Sequence, residues 1–143
     1  MRIMVIVKAN ADSEAGALPD AGMIERMAEF NNRLIEAGMM LDGAGLQASS
    51  AGARLRFGEG KPLVIDGPFA ETKELIAGYW VIQARDMADA IAWMSRAPFA
   101  DGEIELRPFI EPEAFDGVAT PEVIAQEQGW REEQLAKAPK ATA

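Results

Sequence analysis

The chain opens on RIMVIVK, Arg2 to Lys8, in which Ile3, Val5 and Val7 fall on one side of an extended segment and Met4 and Ile6 on the other. Both faces call for burial, which predicts a strand at the centre of its sheet. Asp20 can cap a helix in which Met23, Met27, Phe30 and Leu34 recur at helical spacing, and Gly38 is placed to end it. MMLDGAGL predicts a second strand running into a glycine-rich turn. ARLRFGEGKPLVIDG holds two short strand-like pieces joined by Gly58-Glu59-Gly60, a hairpin pattern. AGYWVIQA and EIELRPFI predict two further strands. Between them Asp86 caps a helix with Met87, Ile91 and Met94 on one side, and Pro98 stops it. In the last strand Ile104 and Leu106 alternate with Glu103, Glu105 and Arg107, the pattern of a charged edge. Without the hairpin, the order is the split β-α-β pattern of ferredoxin-like α+β domains, with two helices on one face of an antiparallel sheet.

Two helices cover only one face of a four-stranded sheet, yet Met4, Ile6 and the apolar residues of AGYWVIQA supply side chains for both. Either a second copy of the chain or the chain's own tail must cover the other face. A sheet-to-sheet homodimer does so with one symmetric operation. In the tail, Thr120 and Pro121 open a helix with Val123 and Ile124 on one side. Gly129 is expected to break it before a second helical piece from Trp130 to Lys137, with Trp130 buried against its own domain or a second copy. The final KAPKATA is expected to be disordered.

Composition narrows the function. With 143 residues, 49% hydrophobic and 26% charged, the chain is a single globular domain by size and composition. A net charge of -9 argues against direct nucleic-acid binding and against an anionic membrane, and no apolar run approaches spanning length. The N-terminus enters a strand at once, so a cytoplasmic protein is expected. There is no cysteine, hence no disulfide or thiolate chemistry, and no histidine, hence neither the commonest general base nor the commonest metal ligand. No cofactor is expected. A hard cation on Asp42, Asp66 and Glu71 is chemically allowed, but nothing in the spacing demands it, and no metal is assigned.

DGPFAETKE, Asp66 to Glu74, resembles the signature of the DGPF branch of the YCII-related family, and DGAGLQAS, Asp42 to Ser49, is similar to that branch's second recurrent segment. The resemblance runs from about Arg2 to Ile110. It implies a domain over residues 1–110, ferredoxin-like with an inserted β-hairpin and pairing into a dimeric α+β barrel, followed by a C-terminal helical extension over residues 111–143 with a disordered end. It says little about activity. Branch members occur beside, or fused to, sigma-factor-like proteins, which implies a transcription-related protein partner as one alternative. A His and Asp pair proposed as catalytic in some YCII-related proteins has no counterpart here, because the histidine is missing.

Pro68 fixes its own φ and restricts Gly67, so Asp66-Gly67-Pro68 is a rigid bend. As turn chemistry, Asp66 accepts hydrogen bonds from the bend's amides and Phe69 anchors it in the core. As a site, the bend holds Asp66 at a cleft mouth as catalytic acid or base, with Phe69, Glu71, Lys73, Tyr79, Trp80 and Arg107 as ligand-binding residues. In that arrangement Tyr79 and Trp80 form the floor, and Arg107 takes a carboxylate. Gly43 and Gly45 fit a bulge or strand end better than an anion cradle. Two readings follow: a small dimeric-barrel enzyme acting on a small organic molecule through Asp66, or a non-catalytic module that binds a ligand or a protein.

Overall fold

The computed structural model describes residues 1–71 and 74–140. Its elements are β1 (Arg2–Lys8), α1 (Ala11–Glu14), α2 (Ala21–Glu36), β2 (Met40–Gly45), a 3-10 turn (Ser49–Ala51), β3 (Ala53–Arg56), β4 (Leu63–Asp66), β5 (Ile76–Gln83), α3 (Met87–Met94), β6 (Ile104–Pro108), a second 3-10 turn (Pro112–Phe115) and α4 (Pro121–Ala136). Four strands form one antiparallel sheet in the order β2-β5-β1-β6, and β3 pairs with β4 as a separate two-stranded ribbon. This is the ferredoxin-like arrangement with an inserted hairpin. The doubly apolar β1 is central, and the charged β6 is an edge.

The pairing register divides the sheet into two faces. Ile3, Val5, Trp80 and Ile82 pack with Phe30 and Leu34 of α2 and with Ala90 and Met94 of α3 in one core cluster. Trp80 meets Phe30 and Phe99 edge-on, at ring separations of 5.9 and 6.2 Å. Its indole N–H donates to Asn31 Oδ1 at 2.8 Å, so a polar atom that burial would otherwise leave unpaired is satisfied. The helices start where their side chains can cap them. Asp20 accepts from Met23 N at 2.7 Å, Asp86 from Asp89 N at 2.8 Å and Thr120 from Val123 N at 3.3 Å. Gly38 follows α2 at a φ of 70°, a left-handed position that favours glycine.

Two expectations are corrected, and a third is narrowed. Ile91 shares a side of α3 with Met87 and Met94, but it stays exposed because it borders an open hollow beside Phe99 and Ile104. Gly129 does not break the tail: α4 runs unbroken from Pro121 to Ala136, since one glycine costs a helix only about 1 kcal/mol. Trp130 is not buried against its own domain, and its burial against a second copy lies beyond a single chain. It is 51% exposed, and what ties α4 down is polar. Arg2 binds Glu111 through two nitrogens, each at 3.0 Å, reaches Gln134 at 2.8 Å and stacks over Phe109 with its guanidinium carbon 4.5 Å from the ring centre. Such a forked, charge-assisted contact fixes orientation as well as position. Lys137 to Lys140 follow the helix, and the last residues of KAPKATA, 141–143, lie outside the described residues.

Candidate functional site

Several segments meet at the end of the sheet where β1 finishes and β5 begins. Ala9 N donates to Leu75 O at 2.9 Å and Leu46 N to Ala77 O at 2.8 Å, carrying the ladder past the strands. From there the DGAGLQAS turn and the DGPF bend are tied to each other. Gly67 N donates to Gly52 O at 3.0 Å, and Phe69 N donates to Ser49 Oγ at 3.0 Å. Ser49 N in turn donates to Glu14 Oε2 at 2.7 Å, which brings α1 into the same junction. Gly67 is held to glycine here, because a Cβ on it would collide with the Ser49 carbonyl oxygen. The Gly67-Pro68 peptide is cis.

In this junction the bend's amides go to Gly52 and Ser49. Among the described residues none goes to the Asp66 side chain, so the expectation that Asp66 closes its own turn is corrected. Phe69 is also not a core residue. It is half-buried under Arg54, whose guanidinium carbon sits 3.8 Å from its ring centre. Asp66 and Glu71 are exposed, and Lys73 lies outside the described residues.

The other expected residues divide between the two faces of the sheet. Tyr79 and Trp80 are neighbours in β5, and successive strand residues point opposite ways, so they cannot floor one cleft. Trp80 belongs to the helix-covered core. Tyr79 is on the second face with Met4, Ile6 and Val81, as the register Met4↔Val81 and Ile6↔Tyr79 requires. Its hydroxyl donates to Asp42 Oδ2 at 3.3 Å, and Asp42 also accepts from Gly43 N at 2.8 Å. The Asp42 charge raises the Tyr79 pKa above its ordinary 10.0, with smaller contributions from desolvation and from the hydrogen bond itself. A phenol beside a carboxylate resists losing its proton.

Arg107 shares this face. Its Nε is 3.6 Å from Glu105 Oε2, and the other oxygen of Glu105 is 3.3 Å from Lys8 Nζ, so a charged chain runs along the β1–β6 side. Tyr79, Ile6 and Glu105 occupy one row across three strands. Two strand spacings separate the ends of that row, about 10 Å. Between the Asp42–Tyr79 pair and the Lys8–Glu105–Arg107 chain lie Ile6 and Met4, both only partly covered. Val81 is 4% exposed, and Arg2 brings the second 3-10 turn and α4 to the Val81 end of this face. Among the described residues no three acidic side chains gather in a metal-holding cluster, and no helix is long and apolar enough to cross a membrane.

The family model of the YCII-related domain matches residues 1–113. The chain belongs to the YCII-related family. It is also 33% identical over 92 residues to an uncharacterized protein of Rhizobium meliloti (strain 1021), an alignment covering 62% of this chain and 74% of that relative.

Ser49, Glu14, Asp42, Lys8 and Glu105 belong to these clusters and were omitted from the site expectation. Ser49 and Asp42 stand at the two ends of the quoted DGAGLQAS segment, so the signal was present as a second motif without a stated contact. Lys8 and Glu14 carry no local signal, since their partners come from distant segments of the chain.

Proposed function

We propose that this YCII-related protein is a homodimeric binding module for a small organic acid, held on the second face of its sheet and enclosed by a second copy. The observation carrying this reading is the composition of that face: partly covered apolar residues, Met4 and Ile6, flanked by Tyr79 paired with Asp42 and by the Lys8–Glu105–Arg107 chain. An apolar floor with a few polar groups at its margins is the usual make-up of a ligand site. Arg107 supplies a fork for a carboxylate, and the Asp42–Tyr79 pair supplies acceptors about 10 Å away. Covering the remaining apolar surface contributes roughly 25 cal/mol per Å², enough for several kcal/mol over a few hundred Å² before association costs.

Binding is favoured over catalysis by the setting of Asp66. General acid or base chemistry needs a carboxylate held within reach of the reacting proton. Asp66 is exposed, and no described side chain holds it. The test is a thermal-shift and calorimetric screen of small carboxylic acids against the intact chain. Arg107→Gln and Asp42→Asn should each weaken the best acid by about tenfold, a loss of ~1.4 kcal/mol, while Asp66→Asn leaves it unchanged. Binding abolished by Asp66→Asn, with Arg107→Gln silent, would move the site to the bend and restore the enzyme reading.

A further inference from the structure

A second hollow lies in the helix layer, on the other side of the sheet from Tyr79 and Arg107, where the C-terminal ends of α2 and α3 meet. It holds about 300 Å³ and is lined by Phe30, Arg33, Glu36 and Ala37 at the end of α2 and by Trp93 and Arg96 at the end of α3. Phe30, Arg33 and Ala37 follow one another at helical spacing, so a single stripe of α2 faces this space. Arg96 lies against Trp93, its guanidinium carbon 4.7 Å from the ring centre. Such a contact positions a guanidinium without giving its N–H groups an acceptor.

The fold itself makes little use of these two arginines. A cation at a helix C-terminus ordinarily takes up terminal carbonyls as well as complementing the dipole. Here backbone amides have the carbonyls already. At the end of α2, Ala37 N donates to Arg33 O at 3.0 Å, Met39 N to Leu34 O at 2.9 Å and Gly38 N to Ile35 O at 2.9 Å. At the end of α3, Ser95 N donates to Ile91 O at 2.9 Å, Arg96 N to Trp93 O at 3.1 Å and Ala97 N to Met94 O at 3.1 Å. Among the described residues no ion pair engages either guanidinium, although Glu36 lines the same hollow. Two planar sets of N–H donors therefore border an apolar floor of Trp93, Phe30 and Ala37.

We propose that this hollow is a separate site for a small aromatic monocarboxylate, whose ring rests against Trp93 beside Phe30 and whose carboxylate is held by the Arg33 and Arg96 forks. Guanidinium donors match a carboxylate in pairs, and an apolar floor with a few polar groups at its margin suits a ring. Charge sets the class. The chain carries a net charge of -9, so an anion needs a local cationic patch to approach it. Two guanidiniums against the one carboxylate of Glu36 are neutralised by a single negative charge, which favours a carboxylate over a phosphate dianion. The site lies within one chain and needs neither the open sheet face nor a second copy.

Tryptophan fluorescence reads this site, because Trp93 lines it. Titration of the intact chain with benzoate, phenylacetate and hydrocinnamate at millimolar concentration should give a saturable response to at least one acid, and Trp93→Phe should remove that response. Arg33→Gln and Arg96→Gln should each weaken the acid by about tenfold, while the same response persists in Arg107→Gln. Phenethyl alcohol should give no response, and phenyl phosphate a weaker one than the acid. Silence toward all three acids, or an equal response to phenethyl alcohol, would overturn the proposal. Tighter binding of phenyl phosphate would overturn the monoanion class. Arginine variants that lower Tm but keep the affinity would reduce Arg33 and Arg96 to helix-end charges and overturn the site. A response lost in Arg107→Gln and kept in both arginine variants would overturn it as well, and would assign the acid to the open face proposed above.

Discussion

Tyr79 is the only tyrosine of the chain, so its ionisation can be followed by ultraviolet absorbance without ambiguity. Asp42 beside it favours the protonated phenol, raising its pKa in the fold. A group with a raised folded pKa contributes its stability in full below the unfolded value, near 10.0, and loses it as pH rises through the folded value. The absorbance midpoint of the native protein should lie above 10.0 and fall toward it in Asp42→Asn. A midpoint unmoved by that substitution would break the pair on which the proposed site depends. The pair was only half legible in the sequence. Tyr79 and Asp42 both stood in quoted segments, but their meeting requires the register of β2 on β5, including the irregularity between Met40 and Asp42. The DGPF bend shows the same limit. Pro68 announces a rigid turn, whereas Ser49, the group that takes the Phe69 amide, is 20 residues away and is named by no local rule.

Elements were the most legible level, because periodicity and caps act over a few residues. The apolar alternation of β1, the caps Asp20, Asp86 and Thr120 and the turn at Gly58-Glu59-Gly60 all appear where local chemistry puts them. The misreadings occurred where an element's neighbours decide. Ile91 has helical spacing but borders a hollow, and α4 is held to its own domain through Arg2 and Gln134 and not by packing of Trp130 there. α1 was not anticipated, being a single turn closed by a capping box between Asn10 and Ser13. Gly129 sits inside α4 with nothing within 4 Å of where a Cβ would be. Gly129→Ala should therefore stabilise the protein by about 0.5–1 kcal/mol, seen as a raised Tm. A lowered Tm would mean that the helix is interrupted at this residue, as its sequence alone suggests.

At the scale of the whole molecule, one sheet face is completed by α2 and α3 and the other is left partly open, with charged and hydrogen-bonded groups along its margins. That asymmetry was legible from the doubly apolar β1 and from counting helices. The distribution of the candidate residues was not. Six of the seven expected positions are described, and they scatter over the bend (Asp66, Phe69, Glu71), the core (Trp80) and the open face (Tyr79, Arg107), because strand alternation and register separate residues that sequence proximity joins. On the function proposed above, a second copy closes the open face. Sedimentation equilibrium at micromolar concentration, comparing the intact chain with Ile6→Glu, tests it most directly, with circular dichroism confirming that both are folded. A desolvated carboxylate in the middle of a closed face is strongly unfavourable. The expected result is twice the 15.4 kDa chain mass for the intact protein and the single-chain mass for Ile6→Glu; a monomeric intact chain, or a dimer that Ile6→Glu leaves in place, would rule out the closed face.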